Sequence, residues 1–334
     1  MNKPQSEVQA SLTGKPVMME AMAYRSALVS VQSVGSGMFF ELAVNAGLHR
    51  VVGDVSIVKI VGSLYRSMFW DDYLDIRGAF DQAMANQQTR GILLEVDSPG
   101  GGVAGAFDLA EHIFRARGGK PIWAIAADQA TSASYLIAAA GDRVIATPTA
   151  VVGSIGVIAT HVDESGLNDR IGLKFNEIIA GAKKAELSPN APLSDDGRAT
   201  LQGIVDQAYD QFVSTVARYR GLAESAVRSQ EAGVFTASQA KAHGLIDEVI
   251  AFDDAISRLQ AEAPSTQASE AHAQLTALRQ ACFDVALEGR GEIRWTEAEE
   301  LAAKIGTEAA TTLIREHGGR VFFEVMSGRY WEAQ

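Results

Sequence analysis

A parallel α/β sheet is the fold class that this 334-residue sequence predicts, and three observations predict it. Runs rich in Val, Ile and Leu at 55–61, 89–96 and 121–126 read as strands. Apolar residues at helical spacing occupy the intervals between them, over 73–86 and about 103–117. The second and third strands are each followed by an unusual loop: Asp97-Ser98-Pro99-Gly100-Gly101-Gly102, and Asp128 to Ser134. Alternating strands and helices make a parallel sheet with covered faces, and sites in such sheets lie past the strand C-termini. Both loops fall there.

Composition limits what the chain can do. With 47% hydrophobic residues it can bury a large core, enough for a domain of about 200 to 250 residues plus appendages. A net charge of −12 and the lack of a basic patch argue against nucleic acid or an anionic membrane as main partner. One cysteine, Cys282, excludes an internal disulfide framework and points to a reducing compartment. The six histidines, at 49, 112, 161, 243, 272 and 317, show no metal spacing, so neither a metal nor a cofactor is expected. The first 25 residues hold Lys3 and Lys15 but no continuous apolar run, so neither a signal peptide nor a membrane anchor is expected there.

In chain order, residues 1–52 read as an N-terminal extension, with a turn at Gly35-Ser36-Gly37 and a short helix over Phe39 to Leu48. Ordered structure is expected from Gly53. After the three strands and two helices come a short strand in Asp142 to Pro148 and a glycine-bounded segment, Val151 to Ile158. A helix over Asp163 to Ile171, a strand over Lys174 to Ile179 and a loop carrying Lys183 and Lys184 follow. Ser194 to Arg218 is a long amphipathic helix, in which Leu201, Ile204, Val205, Ala208, Phe212, Val213 and Val216 share a face. Glu231 to Ala240 then leads to Gly244 to Val249, on the residues alone an ordinary helix stopped by Gly244. Residues 261–269 are small and polar and read as a linker. The tail, 270–334, reads as helical over 270–287, 296–305 and 308–317, the second helix opening on a Thr296/Glu299 capping box.

The stretch Asp128 to Ala140 concentrates the chemistry. Eight of its thirteen residues are Ala, Ser or Thr, a density that lets backbones approach closely. A serine at a strand-to-helix turn, here Ser132, has unbonded N–H groups beside it that would stabilise an oxyanion. The competing reading is that Ser132 or Ser134 merely caps the helix, as most serines in such turns do. Pro99-Gly100-Gly101-Gly102 is likewise either a turn or a backbone strip open to a substrate. Phosphate cradling is disfavoured, because neither G-x-G-x-x-G nor G-x-x-x-x-G-K-[ST] occurs.

Five motifs in order carry a resemblance: Asp97-Ser98-Pro99-Gly100-Gly101; Ser132 followed by Tyr135-Leu136-Ile137-Ala138; Gly141-Asp142 with Ala146-Thr147-Pro148; Gly153-Ser154-Ile155-Gly156-Val157; and Ala180-Gly181-Ala182-Lys183-Lys184. Over roughly residues 53–260 the chain resembles the signal peptide peptidase A family of serine peptidases, family S49. Within it the chain is most similar to phage head-maturation proteases of the lambda protein C type. The resemblance implies a ClpP/crotonase-like parallel-sheet core over 53–260 and a scaffold-like helical tail. It implies a Ser-Lys dyad endopeptidase acting on capsid, scaffold or portal proteins, as a homo-oligomer, in the host cytoplasm or an assembling prohead. By the same resemblance Ser132 is the nucleophile, Lys184 rather than Lys183 the base, and Ser154 orients the lysine. Gly101 and the Ala133 N–H form the oxyanion hole. Where that family has Ser-Gly-Gly-Tyr, this chain has Ser132-Ala133-Ser134-Tyr135.

The chemistry accounts for these residue types. Serine needs a base, and no His-Asp pair accompanies the motifs, although His112 and His161 are near them in sequence. A lysine serves only when neutral, which burial favours, so the apolar run Ile178 to Ala182 is expected to bury Lys184. The alternatives are a bacterial signal-peptide peptidase, a non-catalytic scaffold on the same fold, and a crotonase-like acyl-CoA enzyme, which has no use for Lys184.

Overall fold

The β-branched stretch Val55–Val61 has strand preference and five of its seven residues buried, four of them consecutive, which requires both of its faces to be covered. It is β3 of an eight-stranded sheet in the computed structural model. That structure describes residues 17–19 (backbone), 47–66 and 72–263, with tail residues 278, 281, 298, 301–303, 306–312, 314 and 315. The elements are β1 Val17–Met19, β2 His49–Val52, β3 Val55–Val61, α1 Asp72–Ala85, β4 Gly91–Ser98, β5 Gly100–Gly102 and α2 Ala106–Arg115. Next come β6 Ile122–Thr131, α3 Ala133–Ala139, β7 Arg143–Ala146, β8 Val151–Gly153, α4 Ser165–Arg170 and α5 Asp195–Arg220. The series ends with α6 Glu224–Arg228, β9 Val234–Thr236, α7 Ala237–Ala242, β10 Glu248–Val249 and α8 Phe252–Glu262.

The large sheet runs β10-β7-β6-β4-β3-β2, with β8 also on β6 and β9 on β8. All its pairings are parallel except β2 with β3 and β8 with β9. Alternation along the strands sorts the core into two layers. Val58, Ile60, Leu94, Val96, Ala124 and Val144 pack with Phe80 of α1, Ile113 of α2, Leu136 of α3 and Phe212 of α5. Ile57, Leu93, Ile125 and Ile145 face the other way, against Ile256 and Leu259 of α8. Burying one such Leu, Ile or Phe side chain contributes about 1.5–3 kcal/mol before the entropy of ordering it is subtracted. The α/β parallel-sheet expectation is borne out.

Two registers place the site. The first half of β6 pairs with β7, Trp123–Ala126 against Arg143–Ala146. The second half leaves β7 and pairs with β8, Gln129–Thr131 against Val151–Gly153. β6 thus runs five residues beyond the expected Ala126 and delivers Ser132 directly to α3. On the other side of β6, β4 shifts register after Val96, so that Ser98 lies opposite Ala130.

The strand expected over Lys174 to Ile179 does not form, and the segment is irregular and exposed. Its apolar residues find no sheet edge to pair with, and a lone strand is not stable in water. The helix expected over 163–171 shortens to α4, whereas the long amphipathic helix extends to Arg220. Ser194 caps that helix by accepting from Gly197 N–H at 3.0 Å.

The chain divides into two units, residues 1–117 with 121–262, and 118–120 with 263–334. In the second unit, Leu278, Ala281, Ala298, Leu301, Ala310 and Ile314 are buried, and the described tail positions other than Gly306 are helical. The helix expected over 39–48 and Cys282 lie outside the described residues except at 47 and 48. No helix among the described residues is long and apolar enough to cross a membrane.

Candidate active site

Ser132 sits between β6 and α3 with φ 58° and ψ −122°, a backbone conformation that costs a non-glycine residue about 1–3 kcal/mol. The surroundings impose it. Ser132 N–H donates to the Gly153 carbonyl at 2.8 Å, extending the β6/β8 ladder by one residue, and its own carbonyl accepts the first helical bond, from Leu136 N–H, at 3.0 Å. The chain must pass from ladder to helix within this single residue. A strained serine at a strand–turn–helix junction holds its hydroxyl at one fixed place beside the sheet end.

The serines near the turn divide by what their hydroxyls do. Ser134 Oγ is 2.6 Å from the Ser98 carbonyl, 2.8 Å from the Thr131 carbonyl and 3.0 Å from Thr131 N–H, from which it accepts. It ties the turn to the glycine strand and is committed to that task. Ser98 is a second knot: its hydroxyl donates to Gly62 O at 2.6 Å and accepts from Gly100 N–H at 3.1 Å. Ser132 Oγ, although fully buried, has among the described residues only the Gly156 carbonyl at 3.5 Å, the outer limit of a hydrogen bond. It is the uncommitted hydroxyl of the three.

Ser154 occupies the equivalent place on the neighbouring strand. Thr131 pairs with Gly153, so Ser132 and Ser154 each follow the last paired residue of adjacent parallel strands. Ser154 also has positive φ, 53°, and is 8% exposed. Gly101 lies in β5, joined to the turn through Ser98 and Ser134. A side chain there is excluded, because a Cβ would lie 1.8 Å from the Leu64 carbonyl. Ala133 is the first residue of α3, so its N–H has no carbonyl four residues back within the helix.

Three remote contacts hold α3 still. Tyr135, fully buried, donates its hydroxyl to the Leu245 carbonyl at 2.8 Å. Arg117 caps the C-terminus of α3 through the carbonyls of Ala139, Ala140 and Gly141. Arg220 bonds Asp247 at 2.6 and 3.0 Å, and Asp247 accepts from Val144 N–H, fastening the segment that Tyr135 reaches. Burial alone would raise the Asp247 carboxyl, but the Arg220 and Val144 hydrogen bonds bring it below its ordinary value. The supporting roles of Ser98, Ser134, Arg117 and Tyr135 were not assigned from sequence, although all but Arg117 stand inside the motifs singled out there.

Lys184 is not brought to this cluster within the chain. It lies in the turn 181–187, exposed, with its N–H donating to Gly181 O and no ion pair among the described residues. The expected burial by Ile178 to Ala182 is overturned: Ile178 is 99% exposed and Ile179 is exposed as well. Lys183 reaches Glu186 at 3.9 Å, and Glu186 accepts from Thr200 Oγ1 at 2.9 Å. The arm is closed at its base by His161 Nε2 on Ser188 O at 2.9 Å and Glu164 N–H on Pro189 O at 2.7 Å. His112 faces Asp81 on α1 at 2.5 Å, so both histidines near the motifs have partners away from Ser132.

Comparison with known proteins gives this arrangement its context. Residues 115–265 match the model of peptidase family S49. The chain is 37% identical, over 70% of its length, to the head-tail preconnector protein GP5 of Enterobacteria phage P21, of which the match covers 48%. It is 36% identical to the capsid assembly protease C of Escherichia phage lambda, over 62% of this chain and 49% of the relative. A putative signal peptide peptidase SppA of Enterococcus faecium is 33% identical over 55% of this chain and 54% of its own. The chain thus spans about half the length of the curated relatives it matches. It is through residues 115–265 that the chain is similar to peptidase family S49.

Proposed function

We propose that the chain is a serine endopeptidase whose nucleophile is Ser132 and whose base is Lys184. The observation that supports it most is the strained turn with an uncommitted hydroxyl, in a chain similar to a family of peptidases. Ser132 Oγ attacks the substrate carbonyl while its proton passes to neutral Lys184 Nζ. The N–H groups of Gly101 and Ala133 take the oxyanion, and Ser154 orients the lysine. Collapse of the adduct breaks the peptide C–N bond, the ammonium returns the proton to the leaving amine, and water then releases the acyl group from Ser132.

The base comes from a second copy of the chain. Leu167, Ile171, Leu173, Phe175, Ile178 and Ile179 are all exposed on the segment that leads to Lys184. Large apolar side chains exposed in such number on one segment point to an interaction surface. Covering it with another protomer would desolvate Lys184 and carry it to a neighbouring Ser132. Protein substrates of phage head assembly fit the names of the relatives, a head-tail preconnector protein and a capsid assembly protease, and capsid, scaffold and portal proteins are the candidates. We assign 53–260 as the peptidase domain and the helical tail, 270–334 beyond the 261–269 linker, to protein association.

The test is cleavage of co-expressed head proteins together with labelling by a fluorophosphonate probe. Wild type is expected to cleave and to label, and Ser132→Ala to do neither while keeping its fold. Unchanged processing by Ser132→Ala would overturn the assignment.

A further inference from the structure

The glycine strand beside Ser132 is already paired on both edges. On one edge Leu64 N–H donates to Gly100 O at 2.9 Å and Gly102 N–H donates to Leu64 O at 2.8 Å. On the other lies β1, antiparallel, with Val17 opposite Gly102, Met18 opposite Gly101 and Met19 opposite Gly100. These two small facts fix the bonding pattern. A strand residue directs its N–H and C=O to the same edge, and its neighbours direct theirs to the opposite one. Gly100 O and Gly102 N–H are spent on Leu64, so the N–H and C=O of Gly101 face β1. Met18 and Gly101 therefore form the hydrogen-bonded pair of this ladder, and the Met18 carbonyl lies against the Gly101 N–H.

An extended substrate that offered its carbonyl to Gly101 would need this same edge and this same register. Main-chain pairing with a sheet edge is a general way to hold a peptide of varied sequence, because the ladder bonds do not depend on side chains. We propose that residues 17–19 are an intramolecular occupant of the peptide-binding edge of Gly100–Gly102, which the N-terminal segment must leave before a protein substrate can pair there. The identification of this edge as the substrate edge rests on the reading of Gly101 as an oxyanion donor. The occupancy itself rests on the strand register alone.

The consequence is inhibition in cis. While β1 is paired, Gly101 N–H is not available to a substrate carbonyl, and the apparent affinity for any added peptide falls by the fraction of chains whose edge is open. The segment is attached to the same chain and needs no second molecule, so its effective concentration at the edge is set by the linking residues and not by dilution.

The experiment uses the full chain carrying Ser132→Ala, so that nothing is cut, with and without Met18→Pro. Proline at 18 removes the N–H that reaches Gly101 O and puts its ring between the strands. The probe is a fluorescein-labelled synthetic copy of residues 13–24, followed by anisotropy. Binding is expected to tighten about tenfold in the Met18→Pro chain, as when a site open in one chain in ten becomes open in all. Residue-resolved amide exchange gives a second readout. Gly101 N–H should be protected in the parent and exchange quickly in Met18→Pro. Gly102 N–H, bonded to Leu64, should stay protected in both and thereby report an intact fold. Equal affinities, or a Gly101 amide that exchanges equally fast in both chains, would overturn the proposal. Cutting between Met18 and Met19 in the chain with Ser132 intact would also overturn it, since the segment would then be a substrate. Neither affinity nor exchange depends on catalysis. A chain that fails as a peptidase yet shows both shifts loses the reading of Ser132 and keeps the occupied edge.

Discussion

Ser132 and Lys184 stand 52 positions apart in the chain, and the fold treats them in opposite ways. The segment from Gln129 to Gly156 is pinned by parallel ladders on both sides of β6, by hydroxyl bonds from Ser98 and Ser134, and by the Tyr135 and Arg117 anchors on α3. The segment from His161 to Asn190 is fastened at its base and displays six large apolar side chains to solvent beyond it. One region is finished by its own chain and can hold an atom in a strained position. The other has a surface that the described residues of its own chain leave uncovered. A site divided in this way would be completed by association, with folding alone supplying only its first half.

Removing either half should have the largest effect. Ser132→Ala and Lys184→Ala are each expected to lower peptide cleavage by about 10³-fold or more, as when a member of a nucleophile–base unit is deleted. Lys183→Ala should cost no more than a few-fold. Far-UV circular dichroism should be unchanged in all three. Mixing the two inactive variants sharpens the comparison, since a lysine supplied by a neighbour would pair a sound Ser132 with a sound Lys184 in some contacts. Partial recovery of activity on mixing is the expected result. A mixture as dead as its components would place both groups in one chain.

The exposed arm predicts a different kind of defect. Ile178→Asp puts a charge on a side chain that is 99% exposed, so the stability of the isolated chain should hardly move. Its cost should appear in assembly: light scattering is expected to show smaller species, with activity lost in proportion. A variant of full size and full activity would mean that the arm contacts nothing in the working state.

The anchors of the pinned region give smaller effects, and these on stability. Tyr135→Phe leaves the buried Leu245 carbonyl without its donor, which costs about 1–3 kcal/mol. For a domain of this size that is a drop in Tm of about 2–4 °C for each kcal/mol. Thermal unfolding measures it, and a change below 1 °C would show that Leu245 O finds another donor.

The same contrast explains what was legible in the sequence. β3, β4 and the first half of β6 are mostly apolar, interrupted at Ser56, Lys59 and Glu95, because both faces of the sheet are covered, and they stand where the pattern places them. The Ser132 turn was legible from its small residues, since close approach of β6, β8 and α3 tolerates nothing larger. Phe175, Ile178 and Ile179 read as a buried strand for an equally good physical reason: apolar residues are usually inside. The pattern records that these residues need cover. It does not record whether the cover is the same chain or another one, and so the expected strand and the expected burial of Lys184 both failed. The β1 ladder on Gly100–Gly102 had no signal at all, because main-chain pairing to a glycine strip leaves no mark in side-chain pattern.

The smallest effect tests the periphery of the pinned region. Glu111 on α2 bonds Arg218, Arg115 and Tyr219, tying α2 to the end of α5. The Arg218 hydrogen bond, opposed by burial and helped by Arg115 and Tyr219, holds its carboxyl at about 2, well under the ordinary 4.5. A carboxylate depressed on folding contributes stability that is complete above its unfolded value and is lost as pH falls. For Glu111 the window is therefore 4.5 down to about 2. Asp97 has the opposite sign: burial, then Asp128 and Glu95, raise its carboxyl, so what it contributes is present in acid and lost as pH rises through its folded value. The two overlap in the total curve, and only a difference separates them. Urea unfolding of wild type and Glu111→Gln across pH 2 to 7 supplies that difference. Wild type should lead by about 0.2–1 kcal/mol at pH 7, a range suited to a pair that water and salt screen. The lead should shrink to nothing near pH 2. A gap that persisted unchanged into acid would show that Glu111 holds the helices by packing and not by charge.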